Sequence, residues 1–340
     1  MKRIVIASME RGAGKTSFVV GYGKSSKERI GYMKPFGERI LYRKKRLLDY
    51  DSVLISSLLD LNESPEDLSL GFDHSKLRFM YDREGIKAKL KEMAEKNEKD
   101  CEMLFIEGGK DLSYGSSLFL DPITVAKTLD AELVFMLSGE QDEVIDEIHF
   151  IHDYIKKSEV NFKGIILNKV MDPEDFMIIN GDTLKDLGIE LLGLIPYEKD
   201  LTYFSMEHIS NVLFAKVLAG NKGLSNLVKN IFVGAMTGSK AIESPLFKKE
   251  GKLIITSGDR SDIILGALAS DTAGIVLTNN QVPTANIISK ADEKGIPLLL
   301  VHGDTFAAAK QVDDMERLLS KDDSEKIELM SRLVKENVKL

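Results

Sequence analysis

Residues Ile4-Val5-Ile6-Ala7-Ser8-Met9-Glu10-Arg11-Gly12-Ala13-Gly14-Lys15-Thr16 read as a short apolar strand that breaks into a glycine-containing loop and then opens a helix. The helical pattern continues through Phe18-Val19-Val20. Backbone N–H groups in such a loop can wrap a phosphate, and the amino end of the next helix adds favourable partial charge. Gly12, Ala13, Gly14, Lys15, Thr16 and Ser17 are therefore candidate nucleotide-binding residues. In that role Lys15 neutralises the β- and γ-phosphates, and the Thr16 hydroxyl ligates Mg²⁺. The usual pattern places glycine five positions before Gly14, where this chain has Met9; the nearest small residue is Ser8. The strand directly before the loop is the context that the phosphate reading requires.

The rest of the composition narrows the class. At 340 residues the chain predicts two or three domains, and 43% hydrophobic with 29% charged residues is a soluble globular balance. A formal charge of −8 argues against nucleic acid or an anionic membrane as the main partner, because phosphate backbones demand a basic surface. The lone Cys101 excludes an intramolecular disulfide and any cysteine-based zinc site, which fits a reducing cytoplasm. No stretch reaches the roughly 18 apolar residues that span a bilayer. The apolar run at Ile4–Ala7 is too short for a signal peptide.

Strand candidates are Arg3–Ala7, Ile30–Met33, Met103–Ile106, Glu132–Leu137, Gly164–Leu167 and Leu191–Leu194. Their continuous apolar character points to strands buried on both faces of a parallel sheet. Helical patterns lie between them, as in Arg83–Asn97 with Ile86, Leu90 and Met93 on one face. The expected architecture is α/β: a P-loop parallel sheet with helices on both faces, then a smaller α/β domain. Ala219-Gly220-Asn221-Lys222-Gly223 is the linker candidate, giving expected domains at 1–218 and 224–340. Second-domain strands are expected at Asn230–Ala235, Lys252–Ile255, Gly274–Leu277 and Pro297–Val301, with a charged helical tail at Lys321–Leu340.

Ligands of such sheets sit at the carboxyl ends of strands, and several polar residues fall there. Met103–Ile106 ends in Glu107-Gly108-Gly109, where the acid could reach Mg²⁺ or be a solvated loop carboxylate. Lys34 follows the second strand, held extended by Pro35, and reads either as a phosphate ligand or as a surface lysine. Asp49-Tyr50-Asp51-Ser52 puts two acids close together, of which one faces the metal; Asp51 or Ser52 could equally cap a helix. Asn168, at the end of another strand, can donate and accept at a purine edge. Asp172 lies one position beyond the Asn-Lys-x-Asp spacing of guanine-selective GTPases, which favours adenine. His149 and His152 share a helical spacing without a third ligand, so a helix surface is expected.

Ser8–Thr16, Tyr32–Pro35, Asp51, Ile106–Gly109, Asn168 and Leu192-Gly193-Leu194-Ile195-Pro196 together resemble the dethiobiotin synthetase-like branch of P-loop proteins. The resemblance is closer still to the amino-terminal part of long phosphotransacetylases and their stand-alone archaeal relatives. The second domain resembles the DRTGG domain through Val233-Gly234-Ala235-Met236, Ser257–Ile263, Leu277-Thr278 and Asp304-Thr305-Phe306. The dethiobiotin synthetase resemblance implies ATP as the nucleotide, Mg²⁺ on Thr16, Asp51 and Glu107, and catalytic roles for Lys15 and Lys34 in steadying phosphates. It also implies a homodimer. This chain departs from the synthetase at Arg11-Gly12-Ala13, and Glu10 stands where partition-class ATPases carry a signature lysine. Substrate specificity is therefore not inherited, and acetyl transfer is not expected.

In the second domain Gly258-Asp259-Arg260 follows a strand and precedes a helical run. Asp259 and Arg260 could hold a small anionic ligand, or Asp259 could cap the helix while Arg260 pairs with an acid. Two functions follow. One is an ATP- and Mg²⁺-dependent enzyme that phosphorylates a carboxylate or carbamate, or an ATPase. The other is a regulatory protein that senses nucleotide in the first domain and a metabolite in the second.

Overall fold

The computed structural model describes residues 1–43, 45–234, 243–245, 247–316 and 318–340. It divides into two compact units, Met1–Leu201 with Leu318–Leu340, and Thr202–Arg317.

The first unit runs β1 (Lys2–Ala7), α1 (Lys15–Ser25), β2 (Ile30–Met33), β3 (Ile40–Arg43), β4 (Arg46–Asp49), α2 (Tyr50–Leu58), α3 (His74–Met80), α4 (Arg83–Asn97), β5 (Met103–Glu107), α5 (Pro122–Leu129), β6 (Glu132–Ser138), α6 (Gln141–Ser158), β7 (Phe162–Val170), α7 (Pro173–Asp186) and β8 (Leu191–Pro196). Six strands form one sheet in the order β2-β5-β1-β6-β7-β8, and every pairing is parallel. β3 and β4 form a separate antiparallel hairpin. Val5 and Ala7 face one core with α4–α7, while Ile4 and Ile6 face a second core with α1 and α2. Both faces of each strand are therefore covered, which is why the strands read as unbroken apolar runs. From β1 the chain crosses to edge strand β2, returns to β5 and then passes β1 to β6, β7 and β8, and the carboxyl ends of β1 and its neighbours form the crevice where α/β sheets bind ligands.

The second unit contains β9 (Phe204–Ser205), α8 (Met206–Val212), β10 (Lys216–Ala219), β11 (Leu227–Val228), β12 (Asn230–Val233), β13 (Lys252–Ser257), α9 (Ser261–Leu268), β14 (Thr272–Thr278), α10 (Ala285–Lys294), β15 (Leu298–Leu300) and α11 (Thr305–Asp313). Its main sheet has the order β10-β15-β14-β13-β12, parallel except for the antiparallel edge strand β10. Of the strand expected at Asn230–Ala235, Ala235 lies outside the described residues, as does Met236 of the DRTGG-like motif.

The division differs from the expected one in two places. The glycine-rich stretch at Ala219–Gly223 lies inside the second unit. A Cβ on Gly220 would sit 2.2 Å from the Ile296 carbonyl oxygen, and one on Gly223 would sit 2.0 Å from that of Gly295. These glycines permit close backbone packing and mark no linker. The charged tail, expected to belong to the second domain, forms α12 (Ser324–Asn337) in the first unit. Its buried Ile327, Met330, Leu333 and Val334 complete the core over α1. Gly21 of α1 makes room, since a Cβ there would lie 2.9 Å from Met330. The Tyr50 hydroxyl donates to the Leu319 carbonyl at 3.0 Å, and the Lys339 amide to that of Leu192 at 2.8 Å. Each fully buried aliphatic side chain of this stripe is worth about 1.5–3 kcal/mol.

Among the described residues no helix is long and apolar enough to cross a membrane.

Candidate functional site

The loop between β1 and α1 turns through Gly12 (φ 83°) and Gly14 (φ 102°), and Gly14 is the N-cap of α1. Both angles lie in the left-handed region that glycine enters without steric cost. The loop is stapled from behind by the end of β7. Asn168 Nδ2 donates to the Ala13 carbonyl at 2.8 Å, and Lys169 Nζ to the Gly12 carbonyl at 2.7 Å. One of the two N–H donors of the Asn168 amide is thus given to the loop. Ser8, at the irregular front of the loop, accepts from Lys15 Nζ at 2.5 Å and donates to the Glu10 carbonyl at 2.8 Å. Burial lowers the Lys15 pKa, against the opposing pull of Glu107.

Glu107 at the end of β5 is the point of convergence. Its Oε1 accepts from Thr16 Oγ1 at 2.9 Å and from Lys34 Nζ at 3.2 Å, and its Oε2 accepts from the Tyr32 hydroxyl at 3.0 Å. The carboxylate is buried, not a solvated loop acid. Burial raises its pKa, against Lys34.

The two acids at the start of α2 divide their work. Asp49 is the N-cap, accepting from the Ser52 amide at 3.0 Å and the Ser52 hydroxyl at 3.3 Å, and its other oxygen accepts the Glu38 amide at 3.2 Å. This leaves Asp51, one residue inside the helix, to face Lys34 at 2.5 Å and Arg39 at 3.0 Å. Burial pushes the Asp51 pKa up, but Lys34 and Arg39 outweigh it and hold the carboxyl below its ordinary value. Burial pushes the Asp49 carboxyl up, and Lys34 does not fully offset it.

Lys34 is completely buried and is no surface lysine. Burial disfavours its charge, yet Glu107, Asp51, Asp49 and Glu38 together hold its pKa well above the ordinary lysine value. Three further residues that the sequence did not single out as site residues belong to the cluster. Arg39 bonds both oxygens of Asp51, Glu38 links Lys34 to Arg11 of the loop, and Tyr32 holds Glu107. Glu38 and Arg39 lie shortly after the Lys34-Pro35 pair, and that nearness is their only sequence signal.

Thr16, Asp51 and Glu107 supply hard oxygen donors that suit Mg²⁺, which takes one or two carboxylates and fills its octahedron with phosphate oxygens and water. Among the described residues no group of three or more His, Cys, Asp or Glu could hold a metal alone. His149 and His152 lie on α6, where His152 Nδ1 meets Asp153 Oδ1 at 3.1 Å.

In the second unit Gly258, Asp259 and Arg260 form the turn after β13. Arg260, and not Asp259, takes the N-cap position of α9, with no side-chain capping bond. Arg260 Nε reaches Asp262 Oδ1 at 3.4 Å, so the pairing of Arg260 with an acid is present.

A family model described as an AAA domain matches residues 2–204, well over half of the chain. The chain belongs to the AAA_26 family. Its P-loop unit is dethiobiotin synthetase-like, and a DRTGG domain matches residues 208–315. The phosphate acetyltransferase of Pseudomonas putida is 28% identical over 252 residues, covering 68% of this chain and 36% of that protein. That of Nitrosomonas europaea is 25% identical over 365 residues, covering all of this chain and 51% of that protein. The AAA_26 chain thus spans about a third to a half of the length of these relatives. Among solved structures, the cell division protein MinD of Aquifex aeolicus aligns with a TM-score of 0.39 at 17% identity, covering 59% of this chain and 84% of that one.

Proposed function

We propose that the AAA_26 unit binds ATP with Mg²⁺ at the loop Gly12–Ser17 and passes the γ-phosphoryl group to a carboxylate or carbamate acceptor. The observation that carries this reading is the convergence of Thr16 Oγ1 and Lys34 Nζ on one oxygen of buried Glu107, beside the phosphate loop. Thr16, Asp51 and Glu107 would hold the metal, which when bound neutralises phosphate charge. The loop amides and Lys15 would cradle the phosphates. Lys34, which shares Glu107 Oε1 with Thr16, would steady the charge that develops on the transferred group. Asn168 would serve the nucleotide indirectly, by fixing the loop carbonyl of Ala13.

Calorimetric titration with ATP tests the site. Lys15→Ala should weaken binding at least about tenfold, or about 1.4 kcal/mol; unchanged affinity would sink the loop reading. ADP formation that requires an added small carboxylate, or an amine with bicarbonate, marks the transferase, whereas steady release of ADP and phosphate without acceptor marks an ATPase.

A second reading, a sensor of nucleotide and metabolite, draws on the DRTGG domain. There Asp259 and Arg260 stand at the carboxyl end of a parallel strand, where a small anion would be held. Saturation-transfer NMR with phosphorylated metabolites would test it, with Arg260→Ala as the control. A homodimer is part of this proposal, and light scattering of the full chain tests it.

A further inference from the structure

Lys34 Nζ donates to Asp51 Oδ2 at 2.5 Å, Glu107 Oε1 at 3.2 Å and Glu38 Oε1 at 3.4 Å. An ammonium has three protons, and three carboxylates take them. The surrounding charges are matched as well. Arg39 Nη1 holds Asp51 at 3.0 Å, and Arg11 Nη2 holds Glu38 at 3.2 Å. Two of the three carboxylates, Asp51 and Glu107, are those that the nucleotide-site reading gives to Mg²⁺. Asp51 and Glu107 carry two negative charges, and Lys34 and Arg39 bring two positive ones within bonding distance of them, so the pair is charge-compensated before any metal arrives. Lys34 Nζ and Arg39 Nη1 already share Asp51 Oδ2, so a divalent ion on the same carboxylates would add its charge beside two cations in a poorly hydrated site.

We propose that Lys34 is the resident counter-ion of the Asp51–Glu107 pair, and that a divalent cation gains these carboxylates only by displacing the Lys34 ammonium. The inference rests on the nucleotide-site reading for the identity of the metal ligands. A bare metal ion then binds weakly, because it must strip a fully buried ammonium of two of its three carboxylates and leave it only Glu38, a poorer destination. Nucleotide phosphates supply a better one, so metal and nucleotide load together and Lys34 is handed from carboxylates to phosphates. Glu38 is the tether in this exchange. It bonds Lys34 and also Arg11, which belongs to the phosphate loop, so it holds the ammonium back without being a metal ligand.

The test uses the full chain and Mn²⁺ alone, followed by the loss of the free-ion signal in electron paramagnetic resonance. Lys34→Met should bind Mn²⁺ without nucleotide at least about tenfold more tightly than the wild type, since the competitor is gone. Lys34→Gln, which keeps a hydrogen-bond donor for the carboxylates but not the charge, should shift affinity in the same direction. Should Lys34→Met fail to fold, Lys34→Gln decides. Mn²⁺ affinity unchanged in every folded variant overturns the proposal. Titration of wild type with ATP separates the two readings. Absent ATP binding with the Mn²⁺ gain intact removes the nucleotide function alone, whereas ATP binding without the Mn²⁺ gain removes the counter-ion role alone.

Discussion

The side-chain amide of Asn168 donates to the carbonyl of Ala13 at 2.8 Å, joining the end of β7 to a phosphate loop 155 positions earlier. Gly14 is pressed against the same amide, for a Cβ there would lie 2.3 Å from Nδ2. Loop and strand end are joined there, and Asn168 holds the Ala13 carbonyl in place. Asn168→Ala strips a buried carbonyl of its donor, at a cost of about 1–3 kcal/mol. ATP and GTP affinities should therefore fall together, by about tenfold, with their ratio preserved. Calorimetry with both nucleotides checks this, and a changed ratio would restore a base-reading role.

Tyr32 is fully buried, and its hydroxyl donates to Glu107 Oε2 at 3.0 Å. Tyr32→Phe keeps the ring packing and removes the donor, and hydrogen bonds to charged groups are worth about 1.5–3 kcal/mol. The variant should lose about that much in urea denaturation at neutral pH. Equal midpoints for the two proteins would mean that Glu107 needs no second donor.

Glu147 on α6 has a buried carboxylate oxygen, Oε2, without a hydrogen-bond partner. Burial, then Glu10 of the loop and Glu143, raise its pKa to about 7. The folded protein therefore keeps a proton that the unfolded chain releases near the ordinary carboxylate pKa. Stability from this group is full at acid pH and is lost as pH rises toward about 7. Because the side chain also touches water, the loss is discounted to about 1 kcal/mol. Glu147→Gln should be more stable than wild type at pH 8 and no more stable at pH 4, as read from thermal midpoints at both.

Leu333 on α12 is buried in the core over α1. Leu333→Ala should cost about 2–5 kcal/mol, and the damage should stay in the unit that owns the helix. Hydrogen exchange should speed up in α1 and leave β13 and β14 unchanged. Faster exchange in β13 and β14 with α1 unaffected would return the tail to the DRTGG domain.

Much of the fold is legible in local sequence. The central strands announce themselves because both their faces are covered, so every position in Ile4–Ala7 or Met103–Ile106 must be apolar. The phosphate loop is contiguous, and its glycines serve angles that the chain itself must adopt at positions 12 and 14. Helix Arg83–Asn97 has the predicted bounds, because its stripe and its Asp82 cap are local signals.

Pattern reports that a face is buried, but not against what. The stripe Ile327-Met330-Leu333-Val334 required a partner, and only the packed chain selected α1 over the neighbouring domain. Gly220 and Gly223 looked like a linker because the backbones they touch, at Gly295 and Ile296, are distant in sequence. The same limit governs the site. Sequence placed Lys34, Asp51, Glu107 and Asn168 at strand and helix ends. Which acid caps and which meets the ammonium, and that one lysine closes on three carboxylates, depend on distances across as many as 73 positions. Charge compensation acts through space, so tertiary structure alone decided it.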